Sequence, residues 1–253
     1  MSLIQMRFFS EELNMFTQAN IILPLPRDPR AELRDLPVLY LLHGMGDDCT
    51  AWLRKTAIER YALQHGLAVV MPDGGLSCWE DMVHGGRYRS YITKELPNII
   101  RENFPVSIDR EKTFIAGCSM GGFGALKLGL SRPESYAAIG CFSAAHMEYQ
   151  PDSFRNKHML ELVYGDKLAE IEAQMERDAL KPDKPRLSVW HACGDADVLK
   201  DNALRTRDFM EKIPGLDYHF EMLPGRHNWA LWDEMTSRFI RSLKLPEPEV
   251  ALL

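Results

Sequence analysis

The chain has 253 residues, 45% of them hydrophobic and 26% charged, with 36 acidic side chains against 30 basic ones and a formal charge of −6. That length carries one large α/β domain with an ample core, and the balanced composition excludes long disorder and fibrous repeats. Net acidity, with no basic run longer than two residues, argues against binding nucleic acid through its phosphates, and no apolar stretch reaches the ~18 residues of a membrane helix.

The N-terminus meets its first acid at Glu11 and shows no small-residue cleavage site, so no secretion signal is expected. Cys49, Cys78, Cys118, Cys141 and Cys193 are odd in number and scattered, which reads as reduced thiols in a cytoplasmic protein. Gln5–Ser10 and Phe16–Leu23 read as strands, followed by a surface loop over Pro24–Leu36; edge strands here allow a homo-oligomer. Pro37–Leu42 is apolar on both faces, the pattern of a central parallel strand. Asp48–Gln64 has helical periodicity, and Leu67–Met71 is a second buried strand stopped by Pro72. Tyr88–Phe104 is helical with a bend expected at Pro97. Thr113–Ala116 is a third strand, with a helix over Phe123–Leu130 beyond it. Tyr136–Phe142, Leu187–Ala192 and Tyr218–Met222 are further strands, and Leu204–Lys212 and Trp229–Leu243 further helices. This alternation predicts a mostly parallel sheet covered on both faces, within a single domain over 1–253. Ser143–Lys184, helical over Phe154–Val163 and Asp166–Leu180, reads as a small inserted cap.

The strongest chemical signal is Gly117-Cys118-Ser119-Met120-Gly121, a G-x-S-x-G turn between an apolar strand and a small-residue helix. Such a turn strains the serine and lifts its hydroxyl above the sheet, at the positive end of the helix dipole. A serine hydroxyl needs a base. His227 lies between the last strand and the last helix, after the nucleophile in chain order, whereas His191 and His219 fall inside strands and read as packing or surface residues. A carboxylate must hold the imidazole, and both Asp195 and Asp197 stand on the loop after Leu187–Ala192; spacing does not separate them. Two backbone amides should bind the oxyanion: that of Met120, directly after the nucleophile, and that of Met45 in the loop His43-Gly44-Met45-Gly46. Trp79 and Tyr88, on the aromatic and glycine-rich loop Gly74–Arg89, are candidates to line the substrate pocket. The histidines and cysteines show no metal-ligand spacing, so no metal is expected.

Assembled, the segments Tyr40–Gly46, Gly117–Ala125, Cys193–Leu199 and Pro224–Trp229 resemble the Putative esterase family, which includes tributyrin esterases, esterase D (S-formylglutathione hydrolase) and feruloyl esterases. The resemblance covers nearly the whole chain and is greatest to the tributyrin esterase branch. It implies an α/β-hydrolase fold, no cofactor, and hydrolysis of small acyl esters. It maps the nucleophile onto Ser119 and the base onto His227, and because the family's acid precedes an apolar pair, it selects Asp197-Val198-Leu199 for the acid. The oxyanion amides again fall on Met45 and Met120. One departure stands out: esterase D members acting on S-formylglutathione usually carry histidine where this chain has Phe123, which weakens the thioester alternative. Feruloyl or acetylated-carbohydrate esters are further alternatives. No long hydrophobic lid is visible, so the expected partner is a small, short-chain ester. A serine peptidase would need a gating domain that 253 residues do not hold, and an inactive binding protein would not need every catalytic role filled.

Overall fold

The computed structural model describes residues 1–25, 33–144, 154–181, 185–243 and 245. Among the described residues, eight strands form one sheet: β1 (Ser2–Ser10), β2 (Met15–Leu23), β3 (Val38–Leu42), β4 (Ala68–Pro72), β5 (Thr113–Cys118), β6 (Ala138–Phe142), β7 (Leu187–Gly194) and β8 (Leu216–Leu223). Their order is β1-β2-β4-β3-β5-β6-β7-β8. The β1–β2 hairpin and the β2–β4 pair are antiparallel, and every later pairing is parallel.

The continuous apolar runs have a direct structural cause. Along β3, Val38, Tyr40 and Leu42 enter one hydrophobic cluster while Leu39 and Leu41 enter a second on the opposite face. A strand buried on both faces has no solvent side to mark with polar residues. Each such aliphatic side chain withdrawn from water contributes about 1.5–3 kcal/mol. β1, by contrast, alternates half-buried and exposed positions, as an edge strand with one covered face does.

The helices are α1 (Ala51–Lys55), α2 (Ile58–Gln64), α3 (Tyr88–Ser90), α4 (Leu96–Asn103), α5 (Met120–Ser131), α6 (Phe154–Tyr164), α7 (Leu168–Ala179), α8 (Lys200–Met210) and α9 (Trp229–Ser242). Two differ in outline from the sequence expectation. The helix expected over Asp48–Gln64 is broken at Thr56, whose backbone is extended (φ −136°, ψ 171°) and whose hydroxyl donates to the Trp52 carbonyl at 2.6 Å. In Tyr88–Phe104 the irregularity is a π-helical turn over Tyr91–Glu95, ahead of Pro97. Pro97 follows that turn within a continuous helical run, so the π-helical turn lies where the hydrogen-bond ladder must accommodate a ring without an N–H. The cap supplies α6 and α7; its stretches 145–153 and 182–184 lie outside the described residues. No helix among the described residues is long and apolar enough to cross a membrane. The carboxyl ends of β3, β5, β6, β7 and β8 share one rim of the sheet, the position where open α/β sheets present their chemistry.

Candidate active site

At the end of β5 the backbone turns within one residue into α5. Ser119 occupies that corner at φ 53°, ψ −118°, a conformation few non-glycine residues adopt. Its N–H donates to the Phe142 carbonyl (2.8 Å) and its C=O accepts from Phe123 N–H (3.0 Å), so both sides of the strained residue are anchored. The flanking glycines are steric requirements. A Cβ on Gly117 would lie 2.5 Å from the Gly121 carbonyl group, and one on Gly121 would overlap the carbonyl oxygens of Leu42 and His43. The Met120 N–H then belongs to the first turn of α5, where helical amides have no partner within the helix. Cys118, one residue before, is fully buried, and burial pushes its thiol well above the ordinary range, so it does not compete as a thiolate.

Three distant side chains meet in one hydrogen-bonded chain. The Ser119 Oγ lies 3.0 Å from His227 Nε2, and His227 Nδ1 lies 3.0 and 3.1 Å from the two carboxylate oxygens of Asp197. A carboxylate only accepts, so Nδ1 carries the proton and Nε2 is left bare to accept from the serine hydroxyl. Asp197 is buried, which raises its pKa. The hydrogen bonds from His227 and from the Leu199 amide (2.8 Å) outweigh that burial and hold its carboxyl below the usual range. The imidazole edge packs against Trp232 at 4.9 Å between centroids, and Asn228 caps α9 immediately after it. Asp195 does a different job: it is exposed and accepts from the Gly225 N–H at 3.0 Å, fastening the loop that carries His227.

The loop after β3 lies against the elbow, with a Cβ on Gly44 falling 3.5 Å from the Ser119 Cβ. Gly44 C=O accepts from Asp47 N–H (3.3 Å) across a turn in which Gly46 has φ 82°, the geometry of a type II turn. Beneath it His43 is fully buried, its ring nitrogens 2.8 Å from the Gly44 carbonyl oxygen and 2.9 Å from the Gly74 amide nitrogen. Burial lowers its pKa despite the raising influence of the Gly44 hydrogen bond and of Asp73, Asp47 and Asp48.

The two aromatics expected at the pocket part company. Trp79 does not line a surface site: its side chain has no solvent exposure, its ring packs on His43 at 5.0 Å, and its Nε1–H donates to the His43 carbonyl at 3.3 Å. The expectation is corrected to a packing residue behind the β3 loop. An aromatic in a glycine-rich loop carries no signal of which way it points. Tyr88 is half-buried and lines a groove of about 330 Å³ with Arg7, Phe16, Gln18 and Asp73. Sequence reasoning missed Glu80 and Lys127, a buried ion pair at 2.5 Å that also ties Lys127 Nζ to the Cys78 carbonyl (3.3 Å). It secures Cys78 and Trp79, both at positive φ, onto α5. The available signal was a lone lysine inside the otherwise apolar stretch Phe123–Leu130.

Comparison with known proteins gives a consistent set. The profile of the family described as Putative esterase matches residues 10–241. An acetyl esterase of Caldicellulosiruptor saccharolyticus is 30% identical, covering 92% of this chain and 95% of that one. Among solved structures, the substrate-bound fluorophosphonate-binding serine hydrolase F of Staphylococcus aureus superimposes with a TM-score of 0.88 at 31% identity, over 96% of this chain and 98% of its own. The S-formylglutathione hydrolase of the same organism, as apoenzyme, superimposes at 0.83 and 30% identity with the same coverage. The eight-stranded sheet with its helices is the α/β-hydrolase fold of these serine hydrolases.

Proposed function

The chain belongs to the Putative esterase family, a family of carboxylic ester hydrolases, and from that premise we propose that it is a serine carboxylesterase for short-chain acyl esters, with Ser119, His227 and Asp197 as its triad and 1–253 acting as one domain. The observation that carries this reading is the unbroken chain of contacts, 3.0 Å from Ser119 Oγ to His227 Nε2 and 3.0 Å from His227 Nδ1 to Asp197, on a serine held in strained backbone.

Ser119 Oγ attacks the ester carbonyl carbon while His227 Nε2 takes its proton. The Nδ1–H stays with Asp197, which stabilises the imidazolium without accepting the proton. The carbonyl oxygen becomes an oxyanion held by the N–H groups of Met45 and Met120, an interaction stronger in the transition state than in the ground state. Collapse expels the alcohol, protonated by His227, and leaves an acyl group on Ser119. Water then gives a proton to the bare Nε2 and attacks the acyl carbon. The second intermediate releases the carboxylic acid and returns the proton to Ser119.

The short-chain preference is supported by the acetyl esterase relative and by the lack of a long apolar lid in the sequence. Acyl-chain profiling tests it: p-nitrophenyl butyrate is expected to turn over faster than the dodecanoate, and the reverse order overturns it. A panel with formyl thioesters and feruloyl esters identifies a different leaving or acyl group if one is preferred.

A further inference from the structure

The hydrogen bonds of His43 fix more than its own ring. A carbonyl oxygen only accepts, so the nitrogen facing Gly44 O, Nδ1, must carry the proton; an amide N–H only donates, so Nε2, facing Gly74 N–H, must be bare. One tautomer of the neutral imidazole satisfies both partners. The Gly44 carbonyl it grips is half of the Gly44–Met45 peptide unit. That unit is planar and trans, so holding C=O in one direction holds the Met45 N–H in the opposite one. Trp79 closes the assembly from behind, meeting the ring edge-on at 5.0 Å between centroids and bonded to the His43 carbonyl, and is itself seated by the Glu80–Lys127 pair. The same Gly44 lies against the Ser119 Cβ.

We propose that His43 is a positioning residue for the oxyanion hole: through its Nδ1–H···O=C bond to Gly44 it aims the Met45 N–H at the oxyanion that forms above Ser119. This rests on the esterase reading given above. A residue that only filled core volume would matter to stability and be replaceable by any ring. A residue that aims a donor matters to the transition state, because a peptide tilted by a few tens of degrees loses most of its hydrogen bond to the oxyanion.

The test compares His43→Phe, His43→Asn and His43→Gln. Asparagine returns a donor near the Nδ1 position, and glutamine returns one near Nε2. For His43→Phe, kcat is expected to fall about 10–100-fold with KM within about 3-fold, below the 10²–10³ that removal of a whole donor gives. Affinity for an arylboronic acid, which forms a tetrahedral adduct on serine, should weaken by the same factor as kcat/KM. His43→Asn should recover much of the loss and His43→Gln little. Loss carried in KM, unchanged boronate affinity, or glutamine rescuing better than asparagine overturns the proposal. If His43→Phe does not fold, the order of the two amide variants at matched Tm decides. The esterase reading fails separately, if Ser119→Ala keeps its activity; an inactive Ser119→Ala beside a fully active His43→Phe overturns the His43 assignment alone.

Discussion

The two rims of the sheet treat backbone strain differently. Where β4 and β8 begin, the left-handed positions are Gly66 (φ 59°) and Gly215 (φ 73°), and before β3 Asp35 (φ 54°); these are residue types that adopt such angles at little cost. Where β4, β5 and β6 end, Gly75 (φ 50°) is joined at positive φ by the non-glycine residues Cys78, Trp79, Ser119 and Ser143, none of which is suited to such angles. The first rim only has to reverse the chain. The second has to point side chains and amides in particular directions, and it holds the strain with close packing around Gly117 and Gly121 and the buried Glu80–Lys127 pair. Strain marks the rim that carries the proposed triad.

Substitutions on the two rims should therefore separate activity from stability. The largest effect is expected from Ser119→Ala, a fall in turnover of about 10⁶ with Tm nearly unchanged, measured on p-nitrophenyl butyrate. Asp197→Asn should lower kcat by about 10⁴ by allowing the wrong imidazole tautomer, while Asp195→Asn, which loosens a loop contact, stays within about 3-fold. Reversed magnitudes for these two would move the acid to Asp195. Gly121→Ala should abolish activity and lower Tm, since its methyl meets backbone that cannot retreat. Gly215→Ala, with open space around it, should cost only about 1–2 kcal/mol and leave kcat alone. Equal thermal shifts in the two glycine variants would remove the distinction between the rims.

The smallest effect concerns acid stability. The Asp197 carboxyl is held below its unfolded value of about 3.9, so its contribution is present above roughly pH 4 and is lost as pH falls through the lowered native value. Urea midpoints taken below pH 4 should fall less steeply for Asp197→Asn than for the parent chain. An identical acid limb in both proteins would show that the carboxylate adds nothing to folding.

Much of this was legible in the sequence, for physical reasons. Strands buried on both faces leave unbroken apolar runs, and the elbow's glycines are required by contacts too close for any Cβ, so both leave marks in composition. The acid was not separable by spacing, since Asp195 and Asp197 share one loop; the family resemblance chose Asp197, and in the fold that residue meets His227 while Asp195 meets the Gly225 amide. Trp79 was misjudged because its direction depends on positive-φ backbone and on Lys127, 48 positions away by number, neither of which has a local pattern. The role of His43 was hidden in the same way, since it consists of bonds to backbone atoms, which every residue possesses.

Covalent capture shows whether Ser119 is the nucleophile. The protein is treated with a fluorophosphonate probe, digested and mapped by mass spectrometry. A single adduct is expected on the peptide holding Ser119, absent from Ser119→Ala and formed far more slowly in Asp197→Asn. An adduct on another residue, or undiminished labelling of Ser119→Ala, would contradict it.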